Sequence, residues 1–172
     1  MNSLAWFGLS IASVLAFASG SAIGQERLGE EGGYRISVGP AFERDLKNKS
    51  TSYGAALSVE KTLIDEWLEL EVGLTRLNAA GRREMGIDFI FKKPFTLSQT
   101  AELMVGIGPQ VQRKFDGPER GTSLGVECVL DFMFWPARNI GWYVEPSYGF
   151  GLGSRRDERS LGGSAGLLIR WQ

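Results

Sequence analysis

The chain has no histidine and a single cysteine, Cys128. The first absence excludes every mechanism that needs an imidazole base, acid or metal ligand. The second excludes a disulfide within the chain, so no bridged framework holds the fold. Cys128 falls on the apolar row of its segment, where a thiol packs as a small hydrophobe. Charge of one sign is also missing in excess. The 172 residues carry 19 Lys and Arg against 20 Asp and Glu, a formal net charge of −1. No global field therefore points to nucleic acid. Only one stretch is long and apolar, LAWFGLSIASVLAFA at 4–18. It is shorter than the roughly 20 residues a helical span needs. Ala16-Phe17-Ala18, or Gly20-Ser21-Ala22 as an alternative, supplies a small-x-small cleavage site. Residues 1–22 thus read as a cleavable signal peptide, although no Lys or Arg precedes the apolar run.

Beyond that segment no helical period appears. Residues 23–33 are polar and Gly-rich, and read as a periplasmic lead. Eight alternating runs follow, at 34–43, 52–61, 67–76, 84–93, 100–114, 122–135, 142–151 and 160–171. Period two at this even spacing, with turn residues between, predicts an all-β barrel or sandwich. The connections alternate in character. LIDE, PFTLSQ and PARNIG are short, whereas RDLKNKST, LNAAGRR, FDGPERG and LGSRRDER are polar and charged. One row of each run is apolar, as in Leu68, Leu70, Val72 and Leu74 or Met85, Ile87, Phe89 and Phe91. The opposite rows hold Arg35, Glu60, Glu69, Glu71, Asp88, Lys92, Glu102, Glu127, Asp131, Glu145 and Arg170, interleaved with Gly, Ala and Ser.

Parity alone does not say which row faces out. A soluble, periplasmic lipocalin-like binding barrel would bury the apolar rows. A membrane barrel would turn them to lipid and line a narrow lumen with small and charged residues. The composition of the polar rows favours the second arrangement, because a solvated face carries more Lys, Thr and Gln. So do the aromatics: with periplasmic termini, Tyr34, Trp67, Phe95, Trp135, Trp142 and Trp171 fall at one edge, the place of an interfacial belt. The expectation is an eight-stranded antiparallel up-and-down transmembrane β-barrel over 34–172. Pro40, Pro109 and Pro146 lie inside strands on the apolar row, where a missing donor predicts bulges or interrupted ladders.

The mature chain resembles the small eight-stranded outer-membrane barrels of proteobacteria. Its last third is similar to a subgroup of them without an assigned activity. The residues that carry this are DFMFWP at 131–136, GWYVEPSY at 141–148, SLG at 160–162 and LLI at 167–169. The resemblance implies an outer-membrane location in a Gram-negative bacterium, assembly by the barrel-insertion machinery, a monomer, and no catalytic residues or cofactor. Such barrels end on an aromatic, whereas here Gln172 follows Trp171.

Two constellations are left to carry function. In the longer connections Lys and Arg outnumber Asp and Glu. Facing outward, Arg82, Arg83, Arg155, Arg156 and Arg159 are candidates for bidentate contacts to lipopolysaccharide phosphates. The bland alternative is loops made soluble by charge. Inside, the carboxylates outnumber the bases, and buried charges must be paired or neutralised. That predicts a structural plug or, alternatively, a cation path or porin-like conduit in which Glu127 and Asp131 share a face. The small residues of the outer half suit either a cup open to the outside or only tight sheet curvature. Nothing forms a recognisable catalytic constellation, so the expected role is non-enzymatic.

Overall fold

The computed structural model describes residues 33–79, 81–116, 120–153 and 156–171. The expected signal peptide, most of the expected lead segment, Arg155 and Gln172 lie outside the described residues. Eight strands run β1 Tyr34–Asp45, β2 Thr51–Ile64, β3 Leu68–Ala79, β4 Arg82–Thr96, β5 Ala101–Lys114, β6 Gly121–Phe134, β7 Ile140–Gly151 and β8 Arg159–Trp171. Each pairs antiparallel with its sequence neighbours, and β1 pairs with β8 to close the barrel. Closure leaves no free edge, which is what hydrocarbon demands of backbone N–H and C=O groups.

The apolar rows face out. Leu57, Val72, Ile87, Phe89, Ile107, Leu124, Leu130 and Leu167 are all exposed. Inside lie Arg35, Glu60, Glu69, Glu71, Asp88, Lys92 and Asp131, all buried. A lipocalin-like barrel has the reverse, so that alternative falls. In β1 the outward row from Tyr34 to Phe42 covers about 20 Å of barrel height, at about 3.3 Å per residue and a tilt of about 40°. That approaches the height of the apolar band of outer-membrane barrels.

At the end bearing both termini the connections are short, with Trp67 donating to the Ile64 carbonyl at 3.0 Å and Ser98 to Ala101 at 3.0 Å. The opposite end differs from the sequence expectation at one place. Within LNAAGRR the ladder continues to Ala79↔Arg82. Gly81 takes φ 77°, a left-handed conformation that a tight turn needs and that glycine adopts without a Cβ penalty.

The three prolines expected inside strands coincide with interrupted ladders, each on one side only, whereas Pro94, near the end of β4, keeps its pairing with Met104. β1 pairs with β2 through Pro40 but loses β8 between Val38↔Leu167 and Ala41↔Ser164. β5 keeps β6 through Pro109 but loses β4 between Asp88↔Gln110 and Phe91↔Ile107. β7 keeps β8 through Pro146 but loses β6 between Val129↔Ser147 and Phe132↔Val144. In each case the gap faces the preceding strand, where the proline has no N–H to donate.

Candidate functional site: the lumen and the outer rim

Near the termini, the Arg35 guanidinium donates to Glu60 Oε1 at 3.1 Å, bridges Glu69, and lies 3.7 Å from Glu102. Beside it the Arg170 guanidinium covers the Trp135 ring at 4.2 Å. Trp135 is 1% exposed and packs with Met104, Met133, Tyr143 and Leu168. This corrects its assignment to the interfacial belt. Trp135 shares the parity of Asp131 and Met133, so the pleat directs it into the lumen rather than to lipid.

Farther in stands Lys92, fully buried. Its ammonium donates to Glu145 at 2.6 Å, Glu71 at 2.8 Å and Asp131 at 2.9 Å. Glu71 also accepts from Ser58 at 3.0 Å, and Ser58 and Ser37 are 2.7 Å apart. Carboxylate oxygens of Glu60, Glu71 and Asp131 come within 4.8 Å of one another, a spacing that suits a metal ion. The Lys92 ammonium already supplies a cation to two of the three.

Toward the other end the lumen opens into a cavity of about 60 Å³ lined by Ala56, Gly73, Thr75, Asp88, Gln110, Glu127 and Ser147. That volume suits about four waters, at about 15 Å³ each. A second cavity of about 40 Å³ continues it, and Glu43 and Gln110 line both. Glu127 accepts from Gln110 at 2.8 Å, and both Glu43 oxygens from Gln112 at 3.2 Å. Glu127 and Asp131 are on one face, as their spacing says, but in different layers: one in the cup, the other on Lys92. Glu43, Glu84, Gln110, Gln112 and Lys114 also point inward and were not singled out from sequence. Strand parity was the available signal: Gln110, Gln112 and Lys114 fall on the polar row of the 100–114 run, and Glu43 and Glu84 at the ends of theirs.

On the lipid side Tyr34, Trp67, Phe95 and Trp171 are exposed at the terminal edge. Lys61 lies over the Tyr34 ring, and Lys93 over those of Trp67 and Phe95. Trp142 stacks on Phe134 with centroids 4.1 Å apart. At the far edge Phe42 and Tyr53 are exposed, and Tyr148 meets Phe150 edge-on.

The basic rim residues divide. Arg83 bridges Asp116 at 2.8 Å in the open. That hydrogen bond, with the guanidinium charge, holds the Asp116 carboxyl below its ordinary range. Arg82 turns to Ser50 at 3.1 Å and to Glu84 at 3.8 Å. Arg156 and Arg159 are exposed.

No family model matches the chain, and no curated protein matches it by sequence. Solved structures do. Neisserial surface protein A matches with a TM-score of 0.65 and 14% identity, over 81% of this chain and 97% of that one. OprG of Pseudomonas aeruginosa gives 0.65 and 10%, over 86% and 100%. Ail of Yersinia pestis gives 0.59 and 14%, over 83% and 100%. Identities this low carry the fold and not the activity. With its outward apolar rows and charged interior, this chain is by fold a small eight-stranded outer-membrane β-barrel.

Proposed function

We propose that the protein is a non-enzymatic barrel with a structural or interaction role at the cell envelope, exercised at its outer end through contacts to lipopolysaccharide. The observation that carries this is the closed lumen. Lys92 with its three carboxylates, followed by the packed Trp135 cluster, fills the inner half, so the surface left for partners is the cup mouth and the rim. The rim offers exposed Arg83, Arg156 and Arg159, and guanidinium pairs bidentately with phosphate. A neighbour in fold supports a polyanionic partner: Ail is solved in complex with the heparin analogue sucrose octasulfate, at 14% identity and a TM-score of 0.54. The test is lipopolysaccharide retained by the folded barrel after extraction. Arg156→Gln with Arg159→Gln is expected to lower it several-fold; unchanged retention removes the loops from the account.

The conduit reading keeps one supporting observation, the acidic cup around Asp88 and Glu127. The same lumen then meets Lys92 and the side chains packed around it, which bar a cation by bulk.

A further inference from the structure

The register aligns three arginine-bearing strands in a way the loop sequences do not suggest. Arg76 on β3 pairs with Met85 on β4, and Met85 pairs with Arg113 on β5. All three side chains face out and are exposed. The two arginines therefore flank Met85 at one level, about 10 Å apart at about 4.8 Å per strand. Arg83 stands two residues beyond Met85 on the same face. The Arg113 guanidinium lies 5.3 Å from the centre of the Phe115 ring, a contact that steadies it at the rim. Directly toward the membrane, the next cross-strand row is apolar: Leu74 pairs with Ile87, and Ile87 with Val111, all exposed. The wall of β3–β5 thus presents guanidinium groups at the outer edge of the band and an apolar strip beneath them.

We infer that this wall is a docking site for a phosphorylated, multiply acylated glycolipid of the outer leaflet. Arg76, Arg83 and Arg113 take its phosphates, and its acyl chains lie along the strip. Charge complementarity chooses the occupant. A lone acyl chain needs no arginines, and a soluble phosphate needs no apolar strip. The Asp116 carboxylate offsets only part of the charge of the three guanidiniums, which leaves a net positive wall suited to phosphates. Asp116 engages Arg83 through contacts of 2.8 and 3.4 Å. The inference rests on the lipopolysaccharide reading above and moves the contact from loop tips to the barrel wall.

The experiment folds the full chain into phosphatidylcholine vesicles containing bis-phosphorylated lipid A and measures bound lipid A by native mass spectrometry after extraction. A shifted unboiled gel band confirms folding of each variant. Arg76→Gln, Arg83→Gln and Arg113→Gln together are expected to weaken binding at least tenfold. Asp116→Asn is expected to strengthen it, and monophosphorylated lipid A to bind less tightly than the bis-phosphorylated form. Should the triple variant not fold, Arg113→Gln alone and Asp116→Asn keep the test open with the same signs. Unchanged binding in the folded triple variant overturns the site. If the Arg156→Gln/Arg159→Gln variant then loses lipid A, the loop reading stands without it; loss in the triple variant alone upholds the site and removes the loops. Phosphatidylglycerol bound as tightly as lipid A overturns the assigned lipid class. A dimer that shields the three arginines overturns the occupant.

Discussion

The Lys92 ammonium sits among Glu71, Asp131 and Glu145 with no exposed surface. Removing a buried cation strands its partners, at a cost of about 3–5 kcal/mol. Lys92→Met should therefore lower the unfolding free energy measured in urea by that much, and adding Glu71→Gln should recover part of the loss. A single variant as stable as the parent would mean the carboxylates are neutral without Lys92. The rim bridge behaves differently. Asp116 is held below the ordinary carboxylate pKa of about 3.9, so the bridge contributes fully above that value. It is lost only as pH falls through the lowered folded value. The Asp116 carboxylate should therefore stay ionised and paired from pH 8 down to pH 5, and its protonation at pH 5, read by an NMR titration, would contradict the bridge. At this scale the sequence was readable for charges in mid-strand, where parity is unambiguous. It misled at Trp135, whose aromatic character suggested the interface while its parity assigned it to the lumen. It was silent on Arg76 and Arg113, because only the register shows that they flank Met85.

Among the strands, alternation was enough to predict eight elements and to sort each into two rows, while the composition of the polar rows and the aromatic edge said which row meets lipid. The ends were harder. Polar residues of the outer connections continue the ladders beyond the apolar band, as LNAAGRR does. The prolines were legible as faults, but not the side on which each ladder breaks. Two of the gaps have glycine before the proline, Gly39 and Gly108. A Cβ at Gly108 would overlap the Phe89 carbonyl oxygen, so the strands approach there more closely than a side chain permits. At Gly86 the nearest atoms to such a Cβ are 3.9 Å away, side-chain atoms of Gln110 and Thr75. Gly108→Ala should cost at least about 2 kcal/mol, and Gly86→Ala should be neutral or stabilise by about 0.5 kcal/mol. Equilibrium unfolding in urea ranks the two, and the opposite order would refute the close approach at Pro109.

For the molecule as a whole, the decisive contact is β1 on β8, which joins Tyr34 to Trp171 across the full sequence. No local pattern encodes it; it follows from the need to leave no edge in lipid. Closure creates a narrow lumen, and the sequence fills its inner half with paired charges and the Trp135 cluster. The outer half keeps small residues and an open cup. What the barrel can offer other molecules is then its rim and its wall. Planar-bilayer conductance of the folded barrel tests this most directly. The account predicts no steady current in the parent chain, with the shifted unboiled band confirming that the barrel is closed. A sustained, cation-selective current would contradict it and make the acids around Asp88 and Glu127 the lining of a pore.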